Sequence, residues 1–200
     1  MKRINSILLV LILAGSANAQ MSFGPKLALN FSDLTSRDDS YKTNLVPGLT
    51  VGGFAHYLLN HKMALQGELL YSREGTKWEF EPTNQKGNIR TSQVRIPILF
   101  QYDVDKQFYV EAGPQAKLLL TVYQKIKGED RFSLKELYKN GSLGAAAGVG
   151  YRFTGNKEGL SASLRYFTNF GRVNKTNVNG GNLKIYGFML GLQYRLWKMK

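Results

Sequence analysis

The chain has 200 residues, a formal net charge of +13 from 27 Lys plus Arg against 14 Asp plus Glu, two His and no Cys. That length holds one domain or two very small ones, and without cysteine there is no disulfide framework, thiolate metal site or Cys nucleophile. Two histidines are too few for a His-rich metal cluster, the basic excess points to an anionic partner, and 12% aromatics speak against a disordered basic tail.

The first residues read as an address. Met1-Lys2-Arg3 is a short positive stretch, residues 4–13 are almost entirely aliphatic, and Ala17-Asn18-Ala19 fits a small-x-small cleavage site. This is the layout of a secretory signal peptide over residues 1–19, with an apolar run too short for a transmembrane helix. No Cys follows the cleavage site, so a lipid anchor is excluded there. Removing Lys2 and Arg3 from the +13 leaves +11 on residues 20–200, which are expected to form one β-barrel domain.

From there the chain alternates with period two, as a strand between two different environments requires. Phe23, Pro25, Leu27, Leu29 and Phe31 form one face, opposite Lys26, Ala28 and Asn30. The second run sets Leu49, Val51, Ala55 and Tyr57 against Thr50, Phe54 and His56; the third sets Met63, Leu65, Leu69 and Tyr71 against Gln66, Glu68 and Leu70. The fourth sets Val94, Ile96, Ile98, Phe100 and Tyr102 against Arg95, Pro97, Leu99 and Gln101. Phe108, Val110, Ala112, Ala116 and Leu118 then oppose Tyr109, Glu111, Gln115 and Lys117. Leu143, Ala145, Ala147, Val149, Tyr151 and Phe153 oppose Gly144, Gly148, Gly150 and Arg152. Leu160, Ala162, Leu164 and Tyr166 oppose Ser161, Ser163, Arg165 and Phe167; the last run sets Phe188, Leu190, Leu192 and Tyr194 against Gly187, Gly191, Gln193 and Arg195. Eight antiparallel strands result. Pro97 and Pro114 each lack a ladder donor, so a bulge or local distortion is expected at both.

The connections alternate too. Long polar loops are expected at 32–46, 75–89, 121–140 and 171–183, and tight turns at 60–61, 103–106 and 154–158. Outer-membrane barrels show this asymmetry, with short periplasmic turns and long extracellular loops. A lipocalin-like soluble barrel would alternate as well. Three features favour the membrane arrangement. The apolar faces are long and nearly free of charge, and the opposite faces mix charges with small residues, as a narrow eight-stranded interior needs. Aromatics also gather near strand ends: Phe23, Phe31, Tyr57, Tyr71, Tyr102, Tyr151, Tyr166, Tyr194 and Trp197, in the manner of interfacial girdles. The expected fold is an all-β, eight-stranded antiparallel transmembrane barrel in a Gram-negative outer membrane.

The opening segment Phe23 to Phe31, the Gly141 to Phe153 segment and the closing Gly187 to Leu196 segment resemble the PorT-like "porin family" of small outer-membrane barrels. The resemblance spans residues 20–200 and rests on pattern more than on an invariant motif. It implies an eight-stranded outer-membrane barrel and, for most members, no defined activity. Such barrels usually finish on an aromatic recognised by the barrel-insertion machinery. Here Lys198-Met199-Lys200 follows Trp197, so either recognition tolerates a short basic tail or Trp197 is read internally.

The inward list contains Lys26, Glu68, Arg95, Glu111, Lys117, Arg152, Arg165 and Arg195. Glu68, Arg95 and Glu111 sit on neighbouring strands and are expected to meet across the lumen, with Arg165 and Arg195 on the same surface. Either they form an ion-pair plug, since buried charges must be paired, or they line a charged pore or anion site. His56 and His61 lack the exposed Ser partner that lipid hydrolysis or acyl transfer needs, so no catalytic residue, cofactor or metal site is expected. Gly144 to Gly148 matches a small-xxx-small pattern, but in a strand its glycines thin one wall of a crowded lumen. Residues 132–139 are expected to form two turns of amphipathic helix and, with loops 121–140 and 171–183, to offer a contact for an envelope protein. Loop lysines Lys77, Lys86, Lys125, Lys127, Lys139 and Lys175 suit lipid headgroups and lipopolysaccharide phosphates; no strand carries a basic stripe with interleaved aromatics, so no nucleic-acid surface is expected. The function expected is structural or loop-mediated and non-enzymatic, with a narrow pore or small-ligand carrier as the alternative.

Overall fold

Period two in the sequence becomes one antiparallel sheet that closes on itself. The computed structural model describes residues 21–35, 41–80, 85–126, 130–155, 158–171, 173, 175 and 184–198; the expected signal peptide at 1–19 lies outside them. Eight long strands make the ring: β1 (Met21–Thr35), β2 (Tyr41–Leu58), β3 (Met63–Phe80), β4 (Gln85–Asp103), β5 (Phe108–Ile126), β7 (Gly141–Arg152), β8 (Leu160–Asn169) and β9 (Lys184–Tyr194). Each pairs antiparallel with the next, and β9 returns to β1 from Lys26↔Gln193 to Thr35↔Lys184. Two short pieces, β6 (Phe132–Ser133) and β10 (Trp197–Lys198), add to the edges of β5 and β1. Closure leaves no long edge unpaired, which is what a sheet in an apolar medium requires.

The exterior is apolar and the interior polar. Leu27, Leu69, Ile98, Leu143 and Leu190 stand 50–66% exposed, while Lys26, Glu68, Arg95, Glu111 and Arg165 are almost wholly buried. Each large aliphatic residue left in water forgoes roughly 1.5–3 kcal/mol of burial, so an outer wall of them demands a lipid surround.

The short turns are built by side chains that imitate backbone acceptors. Asn60 Oδ1 accepts from the amides of Lys62 and Met63, both at 2.9 Å, and Asp105 Oδ1 accepts from Gln107 and Phe108, both at 2.6 Å. Those two amides hold the Asp105 carboxyl below its ordinary value. Gly155 and Gly159 take φ of 70° and 93° around the third turn; residues 156–157 of that turn lie outside those described.

The long connections differ from expectation. The loops expected at 32–46 and 75–89 are largely strand. β3 runs on to Phe80 and β4 begins at Gln85, with paired register from Gly75↔Arg90 to Phe80↔Gln85. Above the apolar band the outward face turns polar, with Lys77 and Arg90 exposed, while Thr76 and Ile89 pack inward, so the hydrophobic alternation that marks a strand disappears while the ladder continues. Residues 132–139 also depart from the two-turn helix: β6 pairs with Tyr123 and Gln124, and only Lys135–Leu137 makes a single 3-10 turn. Of the connection expected at 171–183, only Gly171, Val173 and Lys175 are described.

Pro97 and Pro114 interrupt pairing without shifting it. The β3–β4 ladder lapses between Gly67↔Ile98 and Leu70↔Arg95, and the β4–β5 ladder between Pro97↔Gln115 and Phe100↔Ala112, each keeping its register. Register slips lie elsewhere, one on β2–β3 between Leu45↔Thr76 and Thr50↔Ser72, around Pro47, and one on β4–β5 between Gln93↔Leu119 and Ser92↔Thr121, where Leu120 is the extra residue. This bulge reverses the inside-outside parity of β5 and brings Val122 to full burial.

Candidate functional site in the barrel lumen

Because alternate residues of every strand point inward, the lumen is a stack of side-chain layers whose contents the register decides. In the middle of the stack, Arg165 of β8 binds two carboxylates at once. Its NH1 and NH2 donate to Glu68 Oε2 and Oε1 at 2.8 and 2.9 Å, and its Nε donates to Glu111 Oε1 at 2.8 Å. Lys26 Nζ adds a 2.8 Å bond to Glu68 Oε1. Gln66 donates to Glu68 at 2.6 Å and Gln101 to Glu111 at 3.0 Å. Two cations thus meet two anions, each buried and each bridged. The fork geometry of Arg makes the two-carboxylate arrangement possible.

Next to this lies an apolar layer of Ala28, Leu70, Leu99, Ala146, Phe167 and Met189. Glycines make room in the lumen: a Cβ on Gly187 would sit 2.7 Å from Cζ of Phe167 in this layer, and on the turn side of the Arg165 network one on Gly150 would enter the Tyr109 ring. Arg95 and Lys117 stand over the Phe167 ring, 3.7 and 5.2 Å from its centroid, and face one another in register across β4 and β5. Arg95 pairs with Glu74, which also accepts from Ser72 at 3.2 Å. Lys117 is equally buried, yet its Nζ has no hydrogen-bond partner among the described residues. On the β1 to β3 wall, Asn30, Thr50 and Ser72 form a closed triangle of hydrogen bonds at 2.7 to 3.1 Å.

The inward residues named from sequence therefore divide. Lys26, Glu68, Glu111 and Arg165 come together. Arg95 does not join Glu68 and Glu111 as expected, because Arg165 occupies both carboxylates and Glu74 stands nearer Arg95. Arg152 sits at the mouth, ion-paired to Asp103 at 2.8 Å and 4.5 Å over the Tyr109 ring. Arg195 lies just past the end of β9, half-buried at the same mouth and outside the Arg165 network. Glu74, Gln66 and Gln101 were not singled out from sequence. The parity that placed Glu68 and Leu70 inward, carried two steps further, reaches Glu74.

Outside, Phe23, Tyr57, Tyr102, Tyr151 and Tyr194 lie toward the turn end, and Phe31, Tyr71 and Tyr166 toward the loop end. Tyr151 meets Phe108 and Phe153 edge-on at 4.9 and 5.1 Å, and Tyr166 meets Phe188 at 5.4 Å. The side chain of Trp197 is not described. At the loop end, Tyr138, Val122 and Val173 form a second buried apolar cluster over the lumen. Its backbone is tied down by Leu134 to Val122, Lys139 to Val173 and Lys175 to Leu137 at 2.8 to 3.0 Å. Burial there pushes the Tyr138 phenol up to about 12.

The model of the outer membrane protein beta-barrel domain family matches residues 16–174. Neisserial surface protein A is structurally similar, with a TM-score of 0.54 at 16% identity over 87% of this chain and 97% of that one. Ail, the attachment invasion locus protein of Yersinia pestis, gives 0.48 at 17% identity over 88% and 99%. OprG from Pseudomonas aeruginosa gives 0.46 at 13% over 89% and 96%. No curated protein matches the sequence. With a closed eight-stranded ring, an apolar outer wall and a family match over most of its length, this chain belongs to the outer membrane protein beta-barrel domain family and is an integral protein of the outer membrane.

Proposed function

We propose that this protein is a non-conducting, non-enzymatic barrel whose tall extracellular wall binds the phosphates of lipopolysaccharide and presents a surface to other envelope components. One observation carries the reading: the four strands β2 to β5 are 18 or 19 residues long, against 10 and 11 for β8 and β9. One side of the barrel therefore rises above the membrane as a sheet. Its outward face, just beyond Tyr71, carries exposed Arg73, Lys77, Arg90 and Lys125. Register aligns Lys77 with Asn88 and Asn88 with Lys125, so two of these cations stand in one row. Arg131 lies 3.7 Å over the Tyr123 ring beside them. The carboxylate on that face, Glu79, is already paired with Lys86 at 2.8 Å, and phosphates at headgroup level suit the remaining cations.

The pore alternative has less support. Arg165, Glu68, Phe167 and Leu70 fill the lumen section, as expected where eight strands leave room only for side chains. Nor does the lumen favour lipid chemistry, since His56 is buried inside the wall. The kinship to the PorT-like branch remains part of this proposal and rests on the segments quoted above.

The test uses refolded protein in zwitterionic detergent. Added lipopolysaccharide should raise the melting temperature, the rise should shrink with salt, and R73E/K77E/K125E should abolish it. An unchanged rise in that variant would remove lipopolysaccharide from the reading. Planar-bilayer recording should be silent; defined single-channel steps would favour transport.

A further inference from the structure

The upper lumen holds a buried cation without a hydrogen-bond partner among the described residues, and a cavity beside it. We propose that the cavity beneath Tyr138 is a binding site for one small inorganic anion of the halide class, held by Lys117. The cavity measures about 30 Å³ and is lined by Gln93, Lys117, Tyr138, Ser142, Asn169 and Val173. A single water needs roughly 10–15 Å³ by this measure, so the space has room for a monatomic anion and is small for phosphate or sulfate.

The lining supplies donors that nothing else uses. Lys117 Nζ and Gln93 Nε2 are both buried and have no hydrogen-bond partner among the described residues. Ser142 Oγ already accepts from Asn169 Nδ2 at 2.9 Å, which leaves its own proton to donate. Asn169 Oδ1 has no described partner either and offers an acceptor to the same ammonium. Among the described residues no carboxylate pairs with Lys117. Arg95, its neighbour in register, is a second cation, and Glu74 is engaged by Arg95 and Ser72. Asp33 accepts from Thr76 at 2.9 Å and, with Glu74, lines a different cavity. A buried ammonium without a counter-charge is costly, and a halide supplies the charge without needing acceptor geometry.

The experiment measures the melting temperature of the refolded barrel in sodium chloride, sodium bromide and sodium gluconate at equal ionic strength. Chloride and bromide should raise it by several degrees over gluconate, since a ligand bound only by the folded state stabilises that state. K117M should melt at one temperature in all three salts. Equal melting of the wild-type protein in the three salts, or a K117M variant that keeps the halide difference, would overturn the proposal. Should K117M fail to refold, anomalous diffraction from bromide-soaked wild-type crystals decides. A bromide peak against Lys117 supports the site; an empty cavity or a side-chain carboxylate on Nζ overturns it.

Discussion

Two layers of the same lumen, only a few residues apart along the strands, treat buried charge in opposite ways. Around Arg165, two cations and two carboxylates are mutually bridged, and glutamines take up further carboxylate lone pairs. Around Arg95 and Lys117, two cations share an aromatic face and one paired carboxylate. The difference shows that an eight-stranded lumen is not one polar environment. Its first layer is a self-sufficient plug, and its second is complete only with something added.

Breaking the plug should have the largest effect. Glu68→Ala leaves Lys26 and Arg165 buried with one carboxylate between them, a loss of about 3–5 kcal/mol on removal of one partner of a buried pair. Urea unfolding in detergent checks this, and an unchanged midpoint would mean the network is ornamental. K117M, by contrast, removes a charge that has no partner, so in gluconate it should cost little or stabilise. Second comes packing on the turn side of the plug. Gly150→Val would drive side-chain atoms into the buried Tyr109 ring, an overpacking cost of about 1–3 kcal/mol, seen as a lowered melting temperature with the same migration shift on boiling. The smallest effect lies at the turn. Asp105→Ala removes two turn hydrogen bonds, and the sign of its pH dependence is fixed. The folded carboxyl titrates below the unfolded one, so its contribution is present above the ordinary carboxylate value and fades as pH falls through the folded value. Wild type and variant should therefore converge in stability at acid pH and differ at neutral pH.

The barrel was legible because lipid imposes strict alternation: Leu27 and Leu29 on one face with Lys26 and Ala28 on the other mark a strand, and the charges on the second face tell which way it points. The hairpin tops were not, since Gly75 to Phe80 and Gln85 to Ile89 pair as well as any strand but lack an apolar outward face. In the lumen, parity says which residues point inward but not which meet. The choice of Arg165 over Arg95 as the partner of Glu68 depends on shear across non-adjacent strands, which no local pattern carries. The bulge at Leu120 is equally silent, because a single extra residue looks like any other step of the chain. Tyr138 folds over the lumen through contacts with Val122 and Val173, remote in sequence, and its own neighbours suggested a helix.

The most direct test of the account is a double-mutant cycle on Glu68 and Arg165, using E68Q, R165M and the double variant in reversible unfolding from detergent. A coupling energy of about 2–3 kcal/mol, at the upper end for residues in direct contact, is the result predicted for a charge-balanced plug. Additive losses, with no coupling between the two, would contradict it.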